Sequence, residues 1–240
     1  MSHFFQLILT QPMFNGFVAL YNLIPDVGVV ILIITILIKL ILYPLTRSSI
    51  KSQKALTDLQ PKLNELKEKF KDNKQAIAQE TMKLYKENHV NPFASCLPLL
   101  IQLPILIALY YVLQIALKGD QFQLIYPFMH NPGSINKVSL GLFNLENSSW
   151  VLAVLAGAAQ FWQSKMMMRK RPDKPVPAGA KDEDTMAMMN KQMLYFMPFM
   201  TVFIGLSLPA GLTLYWFLST LFTALQQLVM FKKKTSEVIK

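Results

Sequence analysis

The sequence predicts an all-α polytopic membrane protein, with five transmembrane helices and a cytoplasmic helical hairpin between spans one and two. Three observations carry that prediction. Five apolar stretches approach the length of a bilayer crossing, lysine and arginine fall almost wholly on one side of them, and the one long charged segment between stretches carries a helical stripe.

The first stretch, VGVVILIITILIKLILYPLT from Val27 to Thr46, holds a single charge at Lys39. A hydrocarbon core of ~30 Å needs about 20 residues of helix at a rise of ~1.5 Å, and this stretch has that length. Four more follow, at residues 93–117, 149–168, 193–208 and 210–231, the fourth being short for a perpendicular crossing. An odd number of spans puts the termini on opposite sides.

Charge bias assigns the sides. Of 24 lysines and arginines, 21 lie in residues 47–92, in residues 165–192 or in the tail 232–240; Lys118 and Lys137 lie on the other side, and Lys39 lies within a span. The N-terminus is therefore expected outside and the C-terminus in the cytoplasm, in a cell (inner) membrane. The net charge of +10 follows from this bias and asks for no specific nucleic acid sequence. A basic loop and tail beside a membrane still attract polyanions such as ribosomal RNA.

The opening MSHFFQLILTQ lacks lysine and arginine, so it does not read as a secretory signal. Residues 4–24 are apolar but broken by Pro12, Asn15 and Asn22, and residues 1–26 are expected to form an amphipathic segment on the outer face. In the segment 47–92, Leu56, Leu59, Leu63, Leu66 and Phe70 alternate spacings of three and four, and Ile77, Ala78, Met82, Leu84 and Tyr85 mark a return arm. Asp72 and Asn73 supply turn and N-cap chemistry between the arms, while Pro61 predicts a kink rather than a stop. Whether the stripes merely cover each other or dock a partner stays open. The outer loop 118–148 shows breakers and aromatics but no chemistry, and residues 169–192, RKRPDKPVPAGAKDED and its continuation, read as a mobile cytoplasmic linker. Pro209 and Gly211 allow a tight turn between spans four and five. The one cysteine, Cys96, excludes an intrachain disulfide and reads as a small buried hydrophobe.

No nucleotide loop, metal-ligand cluster or nucleophile with a base is legible; neither a cofactor nor enzymatic chemistry is expected. His3, His89 and His130 are scattered along the chain. The ordered feature is polar residues inside spans, each costly in hydrocarbon unless it faces protein or water. Thr213, Trp216, Thr220, Thr223 and Gln227 share one helix face, as do Thr35, Lys39 and Thr46; Gln160 and Gln163 add span three, and Gln102 and Gln114 add span two. Counting at ~1.5 Å per residue puts Lys39, Gln160, Gln102 and Thr220 roughly 11 to 15 Å above the cytoplasmic edge. Interhelical hydrogen bonding would produce a similar slab, and Lys39 could snorkel to the headgroups. Both readings stand beside that of a hydrated groove lined by Lys39, Thr35, Gln102, Gln160, Gln163, Thr213, Trp216 and Thr220.

The segments ILYPLTRSSIKSQKAL, LQPKLNELKEKFKDNKQAIAQETMKLYKENHVNPF, CLPLLIQLPILIALYYVL and LPAGLTLYWFLSTLFTALQQ together closely resemble the YidC/Oxa/Alb family of membrane protein insertases. The resemblance covers essentially the whole chain and implies a minimal five-span core. It implies a hydrophilic groove open to the cytoplasm and to lipid, with a positive residue of span one inside it. The matching position is Lys39, where the family usually has arginine. Lysine keeps the charge and loses the planar fork. The resemblance further implies a membrane protein insertase and chaperone whose partners are nascent membrane proteins, ribosome–nascent chain complexes, the Sec translocon and the lipid bilayer. Methionines at 166–168, 186, 188, 189 and 193 either fill gaps or offer an adaptable apolar surface. The competing function is a small-solute or ion transporter, which also needs polar residues at mid-depth. Against it stand the absence of an internal repeat and of a counter-charge for Lys39.

Overall fold

A computed structural model describes residues 3–70, 73–95, 97–118, 124–167 and 192–238. Asp72, Cys96, Met168 and the linker from Arg169 to Lys191, with its three methionines, lie outside the described residues. Because apolar runs satisfy their backbone internally only as helix or closed sheet, the described chain is helical almost throughout. It opens with α1 (His3–Phe5), a π turn (Gln6–Thr10) and α2 (Gln11–Leu23), then α3 (Val27–Ile41), α4 (Tyr43–Lys69) and α5 (Lys74–Glu87). A 3-10 turn at Pro92–Ser95 leads into α6 (Leu97–Lys118); α7 (Trp150–Met167), a π turn (Gln192–Phe196), α8 (Met197–Ser207) and α9 (Ala210–Val238) follow. Between α6 and α7 sits one antiparallel pair, β1 (Val138–Ser139) and β2 (Phe143–Asn144), in which Val138 faces Asn144 and Ser139 faces Phe143.

Two helices, Leu100–Lys118 and Ala210–Phe231, are long and apolar enough to cross a bilayer unaided, and α3 with α4 makes a third candidate bent by 69°. The residues 194–207 form a shorter apolar helix. Large apolar side chains point away from the protein on several of these helices: Leu37, Leu40 and Ile41 on α3, Leu103 and Ile107 on α6, Phe199 and Phe203 on α8. So much exposed apolar surface belongs against hydrocarbon.

The first span differs from a straight helix over 27–46, because α3 stops at Ile41 and the chain turns at Leu42. Pro44 explains the break. Its ring lacks a donor and would meet the Leu40 carbonyl in a continuous helix, so it is accommodated in the first turn of a new one. The Thr46 hydroxyl fastens the new first turn, lying 3.0 Å from both Leu42 O and Tyr43 O. Pro61, by contrast, lies inside α4 without ending it. The hairpin turn follows expectation at Asn73, whose side chain accepts the Ala76 amide at 3.0 Å. The α9 helix passes the expected boundary at 231 and continues to Val238, since no glycine or proline interrupts the lysine-rich tail.

The packed core collects at one end. It joins Phe14, Phe17 and Val18 of α2, Val27, Val30 and Ile31 of α3, Leu109, Val112, Leu113 and Ala116 of α6, Leu145 of the loop, and Leu212 and Tyr215 of α9. All of these residues lie toward the end that carries loop 124–149. The loop expected to hold no chemistry is bonded across this end. Asn15 donates to Leu124 O and accepts the Tyr126 amide, both at 2.8 Å; Tyr21 Oη accepts the Asn136 amide at 2.8 Å; Ala210 and Gly211 donate to Asn147 O and Leu145 O at 2.7 and 2.9 Å. Asp26 does most. Its carboxylate caps α3 at the Val29 amide (3.0 Å) and accepts Ser139 Oγ (2.6 Å) and the Leu140 amide (2.7 Å). Gly28 beneath it has no room for a side chain, since a Cβ there would stand 2.1 Å from Ser139 Oγ.

Small residues set the remaining helix contacts. Without a hydrophobic force between helices in lipid, close backbone approach supplies the attraction. A Cβ on Gly157 of α7 would lie 2.4 Å from Val202 Cγ2 and 3.1 Å from Pro198 O of α8, and one on Gly205 of α8 would lie 3.1 Å from Ala153 Cβ.

Candidate functional site

Side-chain hydrogen bonds from α3, α4 and α6 converge on α9. A residue four places beyond another on a helix shares its face, so Thr35 and Lys39 of α3 point the same way. Their fates differ. Thr35 is fully buried and its hydroxyl donates to Ile31 O of its own helix at 2.6 Å. Lys39 is partly buried and reaches across, Nζ donating to Thr223 Oγ1 of α9 at 2.9 Å. Thr223 in turn donates to Ser219 O at 2.9 Å. The ammonium is thus met by a hydroxyl that keeps an acceptor oxygen turned toward it. Among the described residues Lys39 has no carboxylate partner, the ion pairs being Lys54–Asp58, Lys83–Glu80 and Lys137–Glu146.

Two further contacts reach α9 from other elements. Gln102 of α6 donates Nε2 to Tyr215 Oη at 2.7 Å, and Thr46 of α4 hydrogen-bonds with the side-chain amide of Gln226 at 3.2 Å. Tyr215 is fully buried, with Ser219 as its second partner. Below these, the buried Gln227 Oε1 and Ser49 Oγ have no hydrogen-bond partner.

Of the eight residues expected to line a groove, Lys39 and Gln102 are brought to α9 by direct hydrogen bonds. Gln160, Gln163 and Trp216 are partly exposed, and Thr220 is buried. Thr213 is fully buried, its hydroxyl 3.2 Å from Gly205 O and 3.3 Å from Pro209 O, where it fastens the turn between α8 and α9. Thr35 and Thr213 therefore spend their hydroxyls on nearby carbonyls and offer nothing polar to a bound chain. Tyr215 and Gln226 were missed by sequence reasoning because they lie off the Thr213–Gln227 stripe, although a tyrosine in mid-span is itself a signal of a buried partner. Thr223 lay on the stripe and turned out to hold the charge.

What this arrangement can do chemically is hold one partly buried positive charge against a hydroxyl between two helices. Such a charge attracts an anionic or polar group that cannot enter hydrocarbon unaided.

Comparison with known proteins covers most of the chain. The family described as "60Kd inner membrane protein" matches residues 19–237. The membrane protein insertase YidC 1 of Listeria monocytogenes serotype 4b is 38% identical over 216 residues, covering 86% of this chain and 66% of that protein. The insertase YidC of Fusobacterium nucleatum is 37% identical over 206 residues, covering 86% of each. The YidC of Mannheimia succiniciproducens is 35% identical over 226 residues, which make up 93% of this chain and 37% of that one. This chain thus spans about two thirds of the Listeria relative's length. Among solved structures, an "active YidC insertase crystal structure with the first transmembrane domain resolved" superposes with a TM-score of 0.60 at 27% identity, over 96% of this chain and 47% of the other. Matches that run through the polar helices as well as the apolar ones show that the chain belongs to the 60Kd inner membrane protein family, the family of the YidC insertases.

Proposed function

We propose that this chain is a membrane protein insertase and chaperone, which helps small or nascent membrane proteins enter the bilayer along a polar groove beside α9. The observation that carries the reading is Lys39, a partly buried ammonium bonded to Thr223 and free of any carboxylate partner among the described residues. Lys39, Gln102, Gln160, Gln163, Trp216 and Thr220 would face the passing chain. Thr35 and Thr213, counted with them on sequence grounds, act in this reading as supports.

The physical difficulty of insertion is desolvating a hydrophilic tail or loop. A polar slot reaching partway through the bilayer shortens the dry path. Two helix lengths support this: the 15 residues of α3 and the 11 of α8 rise only about 22 and 16 Å, against a core of ~30 Å. Lys39 draws an acidic tail inward, the substrate's apolar helix leaves sideways into lipid, and burial of that helix drives release.

The accompanying topology has five spans, an outside N-terminus, and the α4–α5 hairpin, the linker and the basic tail in the cytoplasm. It rests on the charge bias. With that orientation the packed end and its stapled loop close the outer side. Ribosome–nascent chain complexes and the Sec translocon are the partners this role calls for. The test is reconstitution of the purified protein alone in liposomes with a small one- or two-span substrate. Protease-protected substrate above the level in empty liposomes is expected, and equal levels would overturn the proposal.

A further inference from the structure

The β1–β2 turn contradicts the usual economy of hairpins. Leu140 takes a φ of +52° and Gly141 one of +68°. Positive φ suits glycine, asparagine or aspartate, and is an outlier for a bulky residue. A leucine held there should be repaid by burial, yet Leu140 is 70% exposed and its neighbour Leu142 76%. The loop's charges do not compensate: Lys137 and Glu146 pair at 2.8 Å, and Asp26 is occupied by Ser139 and Leu140. The loop also exposes Phe128, 83% exposed and stacked on Tyr126, and Trp150 at the start of α7 is 70% exposed.

Height identifies what covers these side chains. The Leu140 amide is bonded to Asp26, which caps the first turn of α3, so the turn is pinned level with the beginning of a span. Trp150 opens α7. Apolar and aromatic groups at that level, beside uncharged backbone, meet the boundary between headgroups and acyl chains. We propose that the exposed Leu140–Leu142 turn is a lipid-binding wedge seated in the leaflet at the loop end of the molecule. It fixes how deep that end sits, independently of the polar site at the other end. Within the proposed topology this is the outer leaflet.

The test uses the full chain with Cys96→Ala and Leu142→Cys, labelled with an environment-sensitive fluorophore and reconstituted in phosphatidylethanolamine–phosphatidylglycerol vesicles. The expected label is blue-shifted, quenched by lipids brominated high on the acyl chain more than by lipids brominated near its end, and protected from aqueous iodide. A label at Asn131 should show the reverse. Leu140→Asn, which suits the positive φ, should keep the protein folded while reducing the lipid quenching at position 142. Iodide quenching of position 142 without lipid quenching would overturn the wedge, as would quenching protection that disappears on diluting protein in lipid, since that points to a second copy. Insertion by the same labelled vesicles is read in parallel. Normal insertion with a water-exposed label sinks the wedge alone, and a lipid-buried label without insertion sinks the insertase proposal alone.

Discussion

Replacing Lys39 with leucine separates stability from function, and the structure sets the size of both effects. An ammonium in mid-bilayer costs ~2.5 to 3.5 kcal/mol on the insertion scale, and its hydrogen bond to a neutral hydroxyl offsets ~1.5 to 3 kcal/mol. Thr223 keeps its bond to Ser219 O when the lysine is gone, so no orphaned hydroxyl remains. Lys39→Leu should therefore leave the protein as stable as before or more stable by about 0 to 2 kcal/mol, from the same two figures. The functional loss is larger. A tail carboxylate ~8 Å from the charge at an effective dielectric of ~20 gains about 2 kcal/mol, close to thirtyfold in rate or occupancy. Insertion of acidic-tailed substrates should fall by roughly that factor, and neutral-tailed ones should be little changed. Lys39→Glu should be worse for acidic tails, and Lys39→Arg should retain activity. The assay compares substrates of graded tail charge at equal membrane abundance, alongside thermal unfolding in detergent. Full insertion of acidic-tailed substrates by the Lys39→Leu protein would refute the reasoning and leave snorkelling as the role of the lysine.

Three other perturbations follow from the packing. Gly157→Val should push α7 from α8 and cost about 1 to 3 kcal/mol of stability in detergent unfolding, with Val202→Ala relieving part of it. At Asp26, burial raises the carboxyl pKa but hydrogen bonds from Ser139, Leu140, Val29 and Gly28 outweigh it, leaving the folded value below the ordinary one. The carboxylate's stabilisation is thus fully present above the unfolded pKa of ~3.9 and lost as pH falls through the lower folded value, so the protection of the Leu140 amide from hydrogen exchange, relative to its intrinsic rate, should hold at neutral pH and fall only in strong acid. Asp26→Ala should accelerate the exchange at every pH and cost about 1 to 2 kcal/mol, the range for losing a helix cap. Removing residues 55–86 behind a short linker should spare the stability of the membrane helices, because the segment is rich in charge and carries none of the long apolar helices, and should impair insertion; a normal rate would show that the hairpin has no part in it.

Helix existence, the charge bias and the family were legible in one dimension, because apolar run length, the 3.6-residue period and long collinear motifs are all local properties. The cap at Asn73 was legible for the same reason. The threonine stripe on the last helix was legible too and already included Thr223, the residue that meets Lys39. Three features were decided by the tertiary structure. Pro44 was visible, but a proline near the end of an apolar run fits a kink, an end or a new first turn, and only the contact of Thr46 with Gln226, 180 residues on, selects the 69° bend. Thr35 and Lys39 share a face, yet one hydroxyl closes on its own helix and the other side chain crosses to a partner 184 residues away. The loop 124–149 showed breakers and aromatics but nothing of its contacts, because these depend on backbone amides meeting Asn15, Tyr21 and Asp26, and a backbone amide leaves no mark in a sequence. Periodicity reports which side chains lie on one face; what that face touches is set by elements distant in the chain.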